Sequence, residues 1–462
     1  MSSPKPAIDL LRGWPAASLL PRLRLRDAAV SALSDSAIWE PGLEYGPDEG
    51  YGPLRESIAE WLTEFYRPPR PVSIEEICIT GGASQNLACI LQVFTDPVKT
   101  RTIWAVEPTY HLAGRIFDDA GFHGRIRGVP EDEDGIDVAF LEAALVADEA
   151  RAASDPVSES TVSVALPLSP SREKRQAPKQ HQSIKPARPY RKLYTHVVYL
   201  VPSFSNPSGT TTSLARREGL LRLARRFDAL VVCDDVYDFL HWPPAGVDSP
   251  LPYAHGAVLP RLVDLDDTLD GGLKDRFGNA VSNASFSKIV GPGVRVGWAA
   301  GTRDLVYGIS QAGSTRSGGA PSQFTSTLVH ELFKERYLQT HIETVLRPAY
   351  ASRYCALVAA INEHLLPLGV TTAAATSENH AAAGGYFVWL QLPAGLSAAA
   401  VAKKALDEEN LAVAEGGLFT VPEDDAAAGR LDKYVRLCFT WEDEGNIQEG
   451  VTRLARAVKK FL

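Results

Sequence analysis

The stretch Ser285-Phe286-Ser287-Lys288-Ile289-Val290-Gly291-Pro292-Gly293-Val294-Arg295-Val296-Gly297-Trp298 decides how this chain is to be read. A lysine sits between two hydroxyls and a glycine-bounded turn, seven residues ahead of an arginine, with apolar flanks. Burial among apolar residues disfavours the ammonium and lowers a lysine's pKa from roughly 10.4, so part of the population is the free amine, a nucleophile toward carbonyls. Such an amine can hold an aldehyde as a Schiff base. Ser285, Ser287 and Arg295 add two hydroxyls and a guanidinium fork, a set suited to a phosphate. An aldehyde-cofactor site is one reading of this stretch. A capping serine beside a solvated lysine is the other, and the remainder of the chain has to decide between them.

The segments around it supply further polar groups at the ends of apolar runs. Ala229-Leu230-Val231-Val232-Cys233 is a fully apolar strand ending in Asp234-Asp235-Val236-Tyr237. Carboxylates at the C-terminal end of a buried parallel strand lie where α/β sheets place ligands, although the residues alone leave open which aspartate points inward. Val197-Val198-Tyr199-Leu200-Val201-Pro202 runs into Asn206-Pro207-Ser208-Gly209-Thr210, where proline holds Asn206 extended and aims its amide out of the strand end. Ile77-Cys78-Ile79-Thr80 leads through Gly81-Gly82 to Ala83-Ser84 at the start of a helix, whose free N–H groups and positive dipole end form an anion site. The strand from Arg101 to Glu107 ends near Tyr110 and His111. Arg436, in the strand Tyr434-Val435-Arg436-Leu437-Cys438-Phe439, would be costly to bury unpaired. Near the start lie Leu10-Leu11-Arg12-Gly13-Trp14-Pro15 and then Tyr45-Gly46, ahead of an amphipathic helix through Trp61 and Phe65. Arg22, Arg24 and Arg26 cluster near the start of a helix from Pro21 to Leu33; a solvated face is the first reading, and reach to a substrate side chain is the other.

In this order the segments resemble the pyridoxal-phosphate-dependent aminotransferases of fold type I, class I/II, over nearly the whole chain outside residues 151–190. The resemblance implies an α/β fold: a large domain with a mostly parallel sheet flanked by helices, plus a smaller α+β domain built from both termini. It implies that Lys288 is the catalytic residue and that the cofactor is pyridoxal 5'-phosphate. Ala83, Ser84, Ser285, Ser287 and Arg295 match the family's phosphate-holding positions, Tyr110 the stacking aromatic, and Asn206 and Tyr237 the partners of the cofactor's phenolic oxygen. Asp234 matches the partner of the pyridinium nitrogen, with Asp235 as its alternative. Gly13 and Arg436 match the positions that meet the substrate carboxylate. Tyr45 matches a tyrosine that donates to the phosphate in the partner subunit, which implies a homodimer with shared active sites. The implied reaction moves an amino group from an L-amino acid to a 2-oxo acid in two half-reactions through a lysine aldimine, with 2-aminoadipate, aromatic or branched-chain donors. A C–S β-lyase, or other α-carbon chemistry on the same fold, is the alternative. A cofactor-sensing regulator is remote, because no basic recognition helix precedes Tyr45.

Length and composition agree with a small-molecule enzyme. The 462 residues suffice for two or three domains, and 45% hydrophobic with 22% charged residues is ordinary for a globular protein. A net charge of −9 gives no global electrostatic case for nucleic-acid or acidic-membrane partners. The five cysteines are dispersed without a CxxC pair, which argues against a metal site and a disulfide framework and reads as buried thiols in a reducing compartment. With neither a secretory or mitochondrial leader pattern nor an apolar run of roughly 20 residues, a cytoplasmic protein is expected. The expected organisation is an N-terminal arm over 1–44 that joins the small domain, a cofactor domain over 45–305 and a C-terminal domain over 306–462. A Ser-, Pro-, Lys- and Arg-rich insertion at about 151–190 is expected to be disordered. Within the cofactor domain, Val258 to Leu265 reads as a strand and Asp266 to Asn279 as a loop. A long helical run is expected from about Gln323 to His364.

Overall fold

The computed structural model describes residues 5–154, 183–244, 255–372, 382–422 and 429–462. Most of the expected insertion, residues 155–182, lies outside the described residues. The centre of the fold is an eight-stranded sheet in the order Ile77–Thr80, Gly297–Ala300, Ala280–Ser285, Ala229–Asp234, His196–Leu200, Thr102–Glu107, Ile126–Asp132, Gly135–Ile136. The five strands from Ala280–Ser285 to Ile126–Asp132 run parallel, whereas Gly297–Ala300 is antiparallel to both neighbours and Gly135–Ile136 pairs antiparallel with its own. Helices cover both faces, so the central strands are buried throughout, which is why Ala229–Asp234 and His196–Leu200 carry unbroken apolar runs rather than alternation.

This topology gathers one edge of the sheet into a site. The C-terminal ends of the parallel strands, at Ser285, Asp234, Leu200 and Glu107, share that edge, and α/β sheets bind ligands there because the loops that follow can diverge. Thr80 reaches the same edge, next to Gly297 in register.

A second sheet orders Thr371–Thr372, Phe387–Gln391, Tyr434–Cys438 and Ala414–Glu415. The N-terminal segment joins this region: Ile8–Asp9 pairs with Leu411–Ala412, and Leu10 accepts from the Cys438 N–H. Apolar residues of both regions form one continuous core, in which Leu10, Ile79, Tyr237, Phe286, Phe387 and Val435 all take part.

Three local expectations are corrected. Residues 262–266 form a short helix instead of a strand, with Arg261 at its start bonded to Asp264. The run from Gln323 to His364 is broken after Glu331: Glu335 and Arg336 take left-handed φ values of 55° and 57°, and a π turn at Ile342–Leu346 precedes the helix Arg347–His364. Arg336 pairs with Glu64 on another helix, a tertiary contact that local sequence does not reveal. Finally, Cys355 is exposed, while the other four cysteines are buried; all five are free. Among the described residues no helix is long and apolar enough to cross a membrane, and no cluster of His, Cys, Asp and Glu could hold a metal.

Candidate active site

A cleft of about 440 Å³ opens at the C-terminal edge of the large sheet. Of the residues singled out from sequence, Gly13, Ala83, Ser84, Tyr110, Asn206, Asp234, Tyr237, Ser285, Ser287, Lys288, Arg295 and Arg436 line it. Tyr45 does not; its side chain is 92% exposed on the outer surface. A smaller cleft of about 210 Å³ near Ala280 and Ala300, toward the opposite ends of those strands, holds none of them.

Lys288 follows the strand Ala280–Ser285 through a single helical turn. Its Nζ donates to the Gly13 carbonyl at 2.8 Å and lies over the rings of Tyr386 and Tyr237, at 5.0 and 5.6 Å from their centroids. Tyr386 in turn donates to the Lys288 backbone carbonyl at 3.1 Å. Burial lowers the Lys288 amine to about 8; Cys438 and Asp234 oppose the shift, and Arg436 adds to it. Gly13 is constrained by the same approach, since a Cβ there would stand 2.7 Å from the Phe387 ring.

At one end of the cleft, the helix Ala83–Phe94 begins at Gly82 without a side-chain cap, so its first N–H groups lack that partner. Gly82 has φ +97°, and a Cβ at this position would lie 3.0 Å from Nη2 of Arg295. Arg295 is itself left-handed at φ 51° and is held by the carbonyls of Gly81 and Pro292 at 2.8 and 3.1 Å. The Ser285 hydroxyl donates to that of Ser287 at 2.8 Å and accepts the Ser287 N–H at 3.1 Å. Hydroxyls, guanidinium and an uncapped helix start make one anion-binding end.

Asp234 and Asp235 are told apart by their partners. Asp235 turns away from the cleft and accepts from the Ser282 hydroxyl. Asp234 lines the cleft; its Oδ2 accepts from the Tyr199 hydroxyl at 2.9 Å, and its buried Oδ1 has no hydrogen-bond partner among the described residues. Burial raises the Asp234 carboxyl to about 6, although Tyr199 and Lys288 favour its ionised form. A buried, unpartnered acceptor on a residue that lines a cleft suits a protonated ring nitrogen. The Arg436 guanidinium, in the same cleft, lies over the rings of Phe387 and Phe419, at 4.1 and 4.7 Å from their centroids. It donates to the Asn206 side-chain carbonyl and to the Leu11 backbone carbonyl, while its buried Nε has no hydrogen-bond partner among the described residues.

An open carboxylate oxygen, a lysine lowered toward neutrality and an anion-binding end thus stand in one cleft. A family model described as "Aminotransferase class I and II" matches residues 22–454. The chain belongs to this family. It is a pyridoxal-phosphate-dependent aminotransferase, and the groups in the cleft fit that cofactor. The 2-aminoadipate transaminase of Thermus thermophilus is 31% identical, over 97% of this chain and 89% of that protein. Among solved structures, the Pyrococcus horikoshii kynurenine aminotransferase in complex with PMP, KYN and KYA superposes with a TM-score of 0.74 at 27% identity, covering 99% of this chain and 91% of the other. LysN, the α-aminoadipate aminotransferase of Thermus thermophilus complexed with N-(5'-phosphopyridoxyl)-L-leucine, superposes at 0.71 with 29% identity, over 98% and 92%.

Sequence reasoning missed Tyr199, Tyr386 and Phe387 as neighbours of this aminotransferase's functional groups. For Tyr199 a signal existed: it sits on the strand adjacent to Asp234, pairing with Val232, which shares a face with residue 234 by the two-residue period of a strand. Arg22, Arg24 and Arg26 do not line the cleft.

Proposed function

We propose that this aminotransferase takes a large-side-chain L-amino acid, of 2-aminoadipate, aromatic or branched-chain type, as donor and a 2-oxo acid as acceptor, with Lys288 as its catalytic residue. The observation that carries the assignment is that Lys288 and Arg436 line one cleft together with Asp234 and Tyr237. Bound there, pyridoxal 5'-phosphate supplies the aldehyde that takes up the amino group and a ring that withdraws electrons from the substrate's Cα. Ala83, Ser84, Ser285, Ser287 and Arg295 would hold the phosphate, Tyr110 would pack against the ring, Asn206 and Tyr237 would donate to its phenolic oxygen, and Asp234 would pair with its nitrogen.

Arg436 binds the donor α-carboxylate, with the Gly13 backbone alongside. The uncharged amine of Lys288 accepts the proton from the donor's Cα and returns it during transfer, a role for which a pKa near 8 leaves enough free base at neutral pH. Leu11, Trp14, His111 and Leu112 form the wall available to the donor side chain, and Arg12 stands at its edge over the Trp14 ring. Apolar and aromatic surface favours large side chains, while the Arg12 guanidinium, paired through Nε with Asp9 at 2.9 Å, has its remaining N–H groups to offer a terminal carboxylate.

The working unit is a homodimer. Leu23, Val30, Leu33, Trp39 and Leu43 are exposed on the helices Arg22–Ser34 and Ser36–Leu43, next to the fully exposed Tyr45. A second copy would cover this apolar face and receive Tyr45 at its own phosphate end.

Mixing the holoenzyme with single L-amino acids in the absence of acceptor tests the assignment. The cofactor absorbance converts to that of the amine form with 2-aminoadipate, aromatic or branched-chain donors and does not change in Lys288→Ala. Conversion by none of these, or pyruvate and ammonia released from a cysteine-type substrate in its place, defeats the reading.

A further inference from the structure

Asp234 lines the cleft with two unlike carboxylate oxygens: Oδ1 is buried without a hydrogen-bond partner among the described residues, and Oδ2 is held by Tyr199. Tyr199, on the strand His196–Leu200, is fully buried with its ring edge-on to Phe117 at 5.6 Å. Its hydroxyl donates to Asp234 Oδ2 at 2.9 Å. The bond can run in only one direction while Asp234 is ionised, because a carboxylate only accepts. Burial and the neighbouring Asp234 charge push the Tyr199 phenol well above its ordinary value, so it remains a donor across the working pH range.

We propose that Tyr199 is a positioning residue of the transamination site, holding Oδ2 of Asp234 so that Oδ1 faces the cofactor ring nitrogen and the carboxylate stays ionised. The inference rests on Asp234 being that nitrogen's partner. The physical need is clear from the surroundings. Asp234 is buried, which favours its neutral form, and the groups around it divide: Lys288 and the Tyr199 hydroxyl favour the ionised form, whereas Asp238 opposes it and the Tyr110 and Tyr237 phenols stand nearby. A neutral carboxyl cannot keep a pyridine nitrogen protonated. A charge-assisted O–H···O⁻ bond from a buried strand also restrains rotation of the carboxylate.

The experiment compares full-length wild type, Tyr199→Phe, Asp234→Asn and the double variant. Tyr199→Phe removes one oxygen and keeps the ring. Two quantities are read against pH: the Kd for pyridoxal phosphate, from quenching of tryptophan fluorescence in apoenzyme, and the rate of the donor half-reaction. The pH at which cofactor binding weakens on the acid side moves up by about one unit in Tyr199→Phe, as expected from loss of a hydrogen bond to the charged form. The half-reaction at pH 7 slows by roughly tenfold or more, with its acid limb moved in the same direction. In the Asp234→Asn background, Tyr199→Phe has no further effect on either profile, because it acts through that carboxylate.

Both readings are taken on the fraction that binds cofactor, so reduced folded yield does not mask them. If Asp234→Asn is crippled while Tyr199→Phe keeps wild-type pH profiles, the Tyr199 assignment is overturned and that of Asp234 stands. If Asp234→Asn itself matches wild type, the underlying role of Asp234 fails and takes this inference with it. A Tyr199→Phe defect that is equal in both backgrounds and independent of pH assigns Tyr199 to packing alone and overturns the proposal.

Discussion

Nη1 of Arg436 donates to the side-chain carbonyl of Asn206 at 2.7 Å, joining residues 230 apart in the chain. A guanidinium has only donors, so this contact orients the amide: Oδ1 faces the arginine and Nδ2 is left to donate elsewhere. One interaction therefore sets both the group proposed to meet a substrate carboxylate and the group proposed to meet the cofactor's phenolic oxygen. Replacing Arg436 by lysine keeps a charge but loses the fork. Steady-state kinetics should show kcat/KM for the donor reduced by about 10- to 100-fold, the equivalent of one or two charge-assisted hydrogen bonds. Cofactor affinity should change much less.

The Lys288 amine sets a pH dependence. Its folded value of about 8 lies below the ordinary 10.5, so the folded state disfavours the charged form. Covalent capture of pyridoxal phosphate by apoenzyme, followed by absorbance, should speed up through a midpoint near pH 8 and level off above it. Between about 8 and 10.5 the unfolded chain binds the extra proton, so stability gains with rising pH across that window and is penalised below it. Lys288→Met should therefore raise the apoenzyme Tm at pH 7, with the advantage shrinking as pH climbs past 8.

Gly82 supports the anion-binding end by lacking a side chain. With φ at +97° and Arg295 3.0 Å from where a Cβ would stand, Gly82→Ala strains the backbone and displaces the guanidinium. Equilibrium dialysis should show pyridoxal phosphate binding weakened about tenfold, from a strain of about 1–2 kcal/mol. Donor KM at saturating cofactor should stay near that of wild type.

The exposed apolar face next to Tyr45 makes a prediction about assembly. Leu43→Asp should shift the holoenzyme toward monomer in light scattering and weaken its hold on the cofactor together with it. Tyr45→Phe should leave the dimer intact and raise the cofactor Kd by about three- to tenfold, the loss of one hydrogen bond to a charged group. A monomeric wild-type protein with full activity would refute the shared site.

Much of this protein was legible from local chain chemistry. The hydroxyls beside Lys288, the arginine after it and the Asn206-Pro207 bend lie within short segments, and their order along the chain was enough to name a family and an α/β fold. Tertiary structure decided what local pattern cannot carry. Asp234 and Asp235 end a strand buried on both faces, so no polar–apolar alternation marks which one points inward; only Ser282 on the neighbouring strand and Tyr199 on the other distinguish them. The Gly13 carbonyl reaches Lys288 because the N-terminal segment pairs with Leu411–Ala412, a contact between opposite ends of the chain. The break at Glu335 and Arg336 carries no glycine or proline, and the ion pair made there, Arg336 with Glu64, reaches a helix far away in the chain. Residue chemistry limits what each group can do, and which groups meet is set by burial and pairing between segments far apart in sequence.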